Sequence, residues 1–278
     1  MKPPVQRPPA QKYRPGARPV AGRPPHHRRD EDQAEGPVWL FGIHAVRDAL
    51  TNPARRRVRL ILTRNAADRL ADAVAVSGMT PEIADARRFP APLDPGSVHQ
   101  GAALEVEPLD WGRLETLCKP RRDDPAPFVV LLDRVTDPHN VGAVLRSAEV
   151  FGARAVIAPR RHSAPETGAL AKTASGALER QPYLRVTNLA RAMEALRDMG
   201  YAIIGLDGQG ETLLPEAVAA SKGRPLALAL GAEGPGLREL TRATCDTLAR
   251  ISAATSFASL NVSNAAAVAL HLAAARSA

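Results

Sequence analysis

Between residues 128 and 278 the hydrophobic pattern alternates between two forms. Short unbroken apolar runs fall at 129–132, 155–158, 202–206, 226–230 and 248–251, as expected of parallel strands covered on both faces. Between them lie stretches with helical spacing, at 141–151, 166–178, 189–199, 237–245 and 264–275. The clearest places Val141, Val144, Leu145 and Ala148 on one side, the stripe of a helix that buries one face. This alternation predicts an α/β fold built on an open, mostly parallel sheet. In such sheets ligands bind beyond the carboxyl ends of the strands. That rule singles out three loops, 133–140, 231–236 and 252–261, all rich in glycine, asparagine, serine or acidic residues.

Upstream the pattern is smaller in scale. Residues 38–41 lead into a helical stretch, 43–50, that ends at Asn52-Pro53. Residues 58–63 read as a strand, 66–77 as one helix stopped by Gly78, and 103–106 alternate like a half-buried strand. The organisation predicted is a small α/β domain over 37–108, a linker over 109–127 with one short helix, and a larger α/β domain over 128–278. Ahead of them, 1–36 carries prolines at 3, 4, 8, 9, 15, 19, 24 and 25 among arginines and glycines. Such a mixture buries too little apolar surface to offset the entropy of ordering, so a disordered tail is expected.

The tail changes how the net charge is read. The chain has 37 basic and 29 acidic residues, a formal charge of +8, and residues 1–29 hold eight cations and no acid. Everything after Arg29 is therefore charge-balanced, and basicity does not by itself argue that the folded part binds nucleic acid. The tail suits salt-sensitive attraction to phosphates, or simple solubilisation. Cys118 and Cys245 lie far apart without CxxC spacing, which indicates neither a disulfide framework nor a zinc site. The seven histidines show no ligand spacing, and no metal is expected. No apolar run reaches the length of a membrane span, and the tail's prolines break the amphipathic helix of a transit peptide. A cytoplasmic protein is expected, with no membrane partner.

Candidate chemistry sits in the three loops. In the first, Asn140 lies near a helix start and Arg146 lies off the buried stripe. Helical side chains lean toward the preceding turn, so the Arg146 guanidinium could lie over the bare backbone of Gly142 and meet a phosphate or ribose-phosphate. The plain alternative is an ion pair between Arg146 and Glu149 on a solvated face. In the second, a buried strand runs into Gly-Ala-Glu-Gly-Pro-Gly, a tight turn without the GK[ST] ending or GxGxxG order of nucleotide loops. Glu233 would repel a pyrophosphate and better suits a cation such as a sulfonium, unless it is merely solvated. In the third, Ser259, Asn261, Ser263 and Asn264 open an alanine-rich helix. Capping is the plain reading for Ser263 and Asn264, and less so for Ser259 and Asn261, which flank Leu260.

Together these segments resemble the SpoU (TrmH) branch of the knotted SPOUT methyltransferases, whose motifs are N-x-G-x-x-x-R-x-A, L-x-L-G-x-E-x-x-G-L and S-L-N-V-S-x-A. Here they run from Asn140 to Ala148, Leu228 to Leu237 and Ser259 to Ala265. The resemblance begins near Pro37, because FGIHAV at 41–46 and VHQG at 98–101 are similar to the family's N-terminal RNA-binding domain. TDPHN at 136–140 and VTNLARAM at 186–193 are nearest the RlmB-like members, which methylate a guanosine 2′-hydroxyl in large-subunit (23S) ribosomal RNA.

The resemblance implies an S-adenosylmethionine-dependent RNA 2′-O-ribose methyltransferase that works as a homodimer, with the site near the interface. It implies a trefoil knot in the parallel-sheet domain, and cofactor held largely by backbone groups at the positions of Gly231, Ile251 and Leu260. The catalytic set it implies is Arg146, Asn140, Glu233, Ser259 and Asn261. An arginine keeps its proton to pH values above ~12, so Arg146 is read as a phosphate clamp that orients the hydroxyl, with the proton lost to phosphate or water. The chain departs from the pattern at Ser252 and Thr255, where the family usually has proline and glycine, and at Leu272, where a glutamate is common. Ser252 and Thr255 favour one alternative, a catalytically weak or inactive RNA-binding homologue. Another is an active enzyme on tRNA or on an rRNA adenosine, and a third is a generic nucleotide-binding α/β protein.

Overall fold

The computed structural model describes residues 36–94, 96–252 and 260–276. Thr255, Ser259 and residues 1–35 of the expected tail lie outside them.

The first elements are β1 (Val38–Phe41), α1 (Ile43–Thr51), β2 (Arg57–Leu62), α2 (Arg64–Arg69), α3 (Ala71–Ser77), β3 (Glu82–Ile83) and β4 (Ala102–Val106). They form a four-stranded sheet in the order β1-β4-β2-β3. Where the periodicity predicts one helix over 66–77, two short helices meet at Leu70, which leaves the helical backbone while its side chain stays buried. The Thr63 hydroxyl caps α2 by accepting from the Ala66 N–H at 3.3 Å. The VHQG segment has a structural task here. The Gln100 side-chain oxygen accepts from the Ile43 N–H at 3.1 Å and so satisfies a free donor at the start of α1. FGIHAV and VHQG thus lie against each other, far apart in sequence but joined at one helix end.

The segment 109–127, expected as a linker, packs against the large sheet's domain. It carries α4 (Leu114–Leu117), and the Tyr201 hydroxyl donates to the Cys118 carbonyl at 2.6 Å.

Thereafter come β5 (Phe128–Asp133), α5 (Pro138–Phe151), β6 (Ala155–Pro159), α6 (Gly168–Ala174), a 3₁₀ turn (Ala177–Glu179), β7 (Tyr183–Val186), α7 (Leu189–Asp198) and β8 (Ala202–Leu206). They are followed by β9 (Thr212–Leu213), α8 (Leu214–Ala220), β10 (Leu226–Gly231), α9 (Glu239–Thr244), β11 (Thr247–Arg250) and α10 (Val262–Ala275). The strands form a seven-stranded sheet in the order β7-β6-β5-β10-β8-β11-β9, with every pairing parallel. Successive side chains of a strand point to opposite faces, and the core divides accordingly. Val130, Leu132, Leu228 and Leu230 pack with α5 and α10, whereas Val129, Leu131, Ala227 and Ala229 pack with α7. Each fully buried Leu, Ile or Val of this kind contributes about 1.5–3 kcal/mol relative to exposure.

The small and large sheets share one core, and Glu35–Ala278 is a single compact unit. Their junction is polar at one point. Arg55, after α1, donates to Glu179 Oε2 at 3.0 Å and Oε1 at 2.7 Å, and to Glu166 Oε2 at 3.1 Å. All three side chains are buried, and Asn52 adds a donor to Glu179 Oε2 at 2.9 Å. One fork thereby neutralises part of two carboxylates and fixes where the small sheet sits.

Candidate active site

Two helix starts and one glycine turn meet at the carboxyl edge of the large sheet. α5 begins after Asp137, whose carboxylate accepts from the His139 N–H at 2.9 Å, and Pro138 occupies its first turn. Asn140 therefore stands at the mouth of β5. α10 packs along α5, which brings its own start, Asn261, beside Asn140. The third partner arrives on the turn after β10, the strand paired with β5 so that Gly231 stands opposite Asp133.

The three side chains form one hydrogen-bonded cluster. Asn140 Nδ2 donates to Glu233 Oε1 at 3.0 Å, and Asn261 Nδ2 donates to Asn140 Oδ1 at 2.9 Å and also to Glu233. The Val262 N–H points at the same carboxylate oxygen at 3.4 Å, so Glu233 lies over the positive end of α10. Asn261 uses its remaining oxygen as the helix cap, accepting from the Ser263 N–H at 2.9 Å and the Ser263 hydroxyl at 2.6 Å. This corrects the sequence reading, in which capping fell to Ser263 and Asn264. The helix starts at Val262, two residues earlier than its apolar spacing suggests, and the cap moves with it.

Next to the cluster lies a cleft of about 470 Å³, lined by residues from the ends of β8, β10 and β11 and the start of α10. Gly231, Ile251 and Leu260 all line it, with Leu206, Leu230 and Val262 adding apolar wall. Glu233 and Asp207 put carboxylates at its edge, and Ser252 also lines it. An apolar slot with acids at the rim suits a ligand with an aromatic or aliphatic body and a cationic group. The turn is tightly drawn. The Gly236 N–H donates to the Ala232 carbonyl at 2.9 Å, and a Cβ on Gly231 would collide with the backbone of Gly236 and Leu237. No other residue type fits there, which leaves backbone groups facing the cleft.

Two supports are absent from the sequence reading. Asp133, fully buried at the end of β5, accepts from the Arg238 N–H at 3.0 Å and from its Nε at 2.6 Å, tying down the far side of the turn. Asp207 is paired with Arg242. The only sequence signal for either is an acid directly after a buried apolar run, as in Leu131-Leu132-Asp133 and Gly205-Leu206-Asp207.

Arg146 stands apart from this cluster. It is exposed on α5 and has no hydrogen-bond or ion-pair partner among the described residues. The alternative pairing with Glu149 does not occur, because Glu149 is taken by Arg180. Gly142 does not serve Arg146 either. It is buried against α6, where an added Cβ would sit 2.7 Å from the Leu170 carbonyl, so it permits close helix packing. Ser259 lies outside the described residues.

The chain is similar to known proteins over most of its length. The model of the SpoU rRNA Methylase family matches residues 127–271. The chain is 38% identical over 235 residues to a 23S rRNA (guanosine-2'-O-)-methyltransferase RlmB of Photorhabdus laumondii, covering 83% of this chain and 95% of the relative. It is 37% identical over 235 residues to the Escherichia coli (strain K12) protein of that name, with 83% and 95% covered. Among solved structures, the SpoU methyltransferase AviRb from Streptomyces viridochromogenes, in complex with the cofactor AdoMet, is similar with a TM-score of 0.72 and 25% identity over 87% of this chain and 90% of that one. An AdoMet-bound rRNA methyltransferase from Sinorhizobium meliloti shares the fold, with a TM-score of 0.70 at 22% identity over 85% of this chain and 86% of that one.

Proposed function

Because the chain belongs to the SpoU rRNA methylase family, we propose that it methylates the 2′-hydroxyl of a guanosine in 23S ribosomal RNA, with S-adenosylmethionine as donor. The observation that carries this reading is the meeting of Asn140, Glu233 and Asn261 beside a cleft lined by Gly231, Ile251 and Leu260. Relatives named for that reaction match over most of their own length, which supports the same substrate.

The cleft fits the donor: apolar walls for the adenosine, exposed backbone at the Gly231 turn, and the Glu233 carboxylate beside it for positive charge. Once bound, S-adenosylmethionine supplies a methyl group on a sulfonium, open to in-line attack by an oxygen. The chain's residues supply position and charge. The Asn140–Glu233–Asn261 cluster locks the glycine turn to the starts of α5 and α10, so Leu260 and Gly231 keep their places on the cleft. Arg146 is a planar cation that grips a phosphate beside the target ribose and turns the hydroxyl toward the cleft. Holding reactants in this way accounts for much of such a rate. The hydroxyl proton leaves to a phosphate oxygen or to water, since a guanidinium is a poor acceptor.

The active form is read as a homodimer, in keeping with the family and with an Arg146 that is exposed and without a partner among the described residues. The small sheet is read as the RNA-binding domain, and the C-terminal segment as the part that would form the family's knot. With ribosomal RNA as substrate, the reaction belongs in the cytoplasm.

The test is transfer of isotope-labelled methyl from S-adenosylmethionine to a 23S rRNA transcript, followed by alkaline hydrolysis. A 2′-O-methyl group blocks cleavage at its own position, so the label is expected in an alkali-resistant dinucleotide that begins with guanosine. Label on a base, on adenosine, or only on tRNA would overturn the assignment.

A further inference from the structure

Two loops at the carboxyl edge of the large sheet carry cations that the mechanism above does not use. Arg134 directly follows β5, and Arg160, Arg161 and His162 follow β6, its neighbour in the sheet. The Ala164 N–H donates to the Val135 carbonyl at 3.2 Å, so the loops lie side by side. Arg134, Arg161 and His162 are exposed. Arg134 and His162 both have φ of 61°, a left-handed backbone that side chains other than glycine seldom adopt.

The loop after β6 is braced from beneath. The Tyr183 hydroxyl donates to the Ala164 carbonyl at 2.7 Å, and Arg185 donates to the carbonyls of Ala164 at 2.9 Å and Arg160 at 2.7 Å. Glu166, two residues beyond Ala164, is fixed by Arg55 at 3.1 Å. The nearby acids are engaged elsewhere: Asp133 with Arg238, Asp137 as the cap of α5, and Glu166 with Arg55. Asp137 is itself exposed, but Arg134 and Arg161 outnumber it, so the solvent-facing surface is net positive and mounted on a fixed backbone. The other neighbour of β5 is β10, which carries the Gly231 turn, so the loop after β5 begins one strand spacing, about 5 Å, and the loop after β6 two spacings, about 10 Å, from the strand that leads into the methyl-donor cleft.

We infer that Arg134, Arg161 and His162 form a fixed ledge for the phosphodiester backbone of the RNA strand that carries the target ribose. The inference rests on the RNA-methylating reading and extends it to residues outside the family motifs. Two forked cations and an imidazole on a rigid edge suit a polyanion whose phosphates arrive in series. Because the loops are already held, the strand is gripped with little further ordering of the protein.

The test is the full-length chain with Arg134→Asn, Arg161→Gln and His162→Asn together, since asparagine tolerates the left-handed backbone at 134 and 162. Binding to a 23S rRNA transcript is measured across a salt series, alongside methyl transfer and calorimetric affinity for S-adenosylmethionine. Two permanent cations removed should flatten the slope of log K against log salt by about 1.4, at ~0.7 per contact for a single strand. KM for RNA should rise about tenfold, kcat should stay within about twofold, and cofactor affinity should not change. Arg161→Glu alone should raise KM more than Arg161→Gln, as a charge effect requires. An unchanged salt slope with unchanged KM, or equal effects of Glu and Gln, would overturn the ledge. A wild-type protein that binds RNA but transfers no methyl would sink the function proposed above, while the salt slopes would still decide the ledge.

Discussion

Asn261 caps α10 with its side-chain oxygen while its amide nitrogen reaches Asn140 Oδ1 at 2.9 Å and the Glu233 carboxylate, so one side chain joins a helix start to two distant motifs. Asn261→Ala removes the cap and the bridge together, with an expected loss of about 1–2 kcal/mol of stability. Asn261→Asp keeps the capping oxygen but sets a carboxylate against Glu233. It should melt closer to wild type at low pH than at neutral pH, where the two acids repel. A double-mutant cycle with Glu233→Ala should give a coupling of about 1 kcal/mol by chemical denaturation. Additive effects would mean that the cluster is not a working unit.

Arg55 should matter for stability although it is remote from the cleft. Its replacement by Met leaves Glu179 buried without its cation and takes one partner from Glu166, an arrangement expected to cost about 3–5 kcal/mol. The urea midpoint at neutral pH reads this directly. Glu166→Gln should cost less, because Arg55 keeps its paired contacts to Glu179. A shift in Arg55→Met no larger than that of an ordinary surface substitution would show that the junction is not held by this fork.

Arg146 calls for the opposite profile. It is exposed and unpartnered among the described residues, so Arg146→Ala should alter stability by less than about 0.5 kcal/mol. S-adenosylmethionine affinity should likewise be unchanged, while methyl transfer to RNA falls by about a hundredfold or more, the scale of losing a transition-state contact. Arg146→Lys keeps the charge but loses the fork, and should lie between the two. Near-wild-type transfer by Arg146→Ala would remove it from the mechanism.

The two thiols should be inert in the folded protein. Burial pushes Cys118 up to about 12, and burial, with Asp246 nearby, pushes Cys245 up to about 12. Both therefore stay protonated at pH 8, with a thiolate fraction on the order of 10⁻⁴. A thiol-specific reagent should label neither at an appreciable rate until urea unfolds the chain, and both thereafter. Rapid labelling of the native protein would contradict the packing around them.

Much of the fold can be read from the chain because its long elements have unmistakable spacing. The runs that became β5, β8 and β10 are apolar throughout, since each strand is covered on both faces. The elements that escape such reading have physical reasons to do so. β7 is an edge strand that mixes Tyr183 and Arg185 into its sequence, and α8, with seven residues, has too few turns to show a period. The cluster of Asn140, Glu233 and Asn261 is visible only as three motifs, whereas its wiring depends on contacts between distant segments. Gly142 illustrates the limit: its sequence neighbours suggest room for Arg146, but the space it leaves is filled by α6. Gln100 is a second case, a motif residue whose partner is the start of α1, 57 residues away.

The central claim is that separated loops close into one pocket for the methyl donor around the Gly231 turn. Calorimetric titration of S-adenosylmethionine into the wild-type chain and into Gly231→Ala tests it most directly, with far-ultraviolet circular dichroism to confirm that both are folded. The account predicts saturable binding of one molecule per chain by wild type and at least about tenfold weaker binding by the variant, whose added methyl displaces the turn by collision with Gly236. No binding by the folded wild type, or equal affinity in the two proteins, would contradict it.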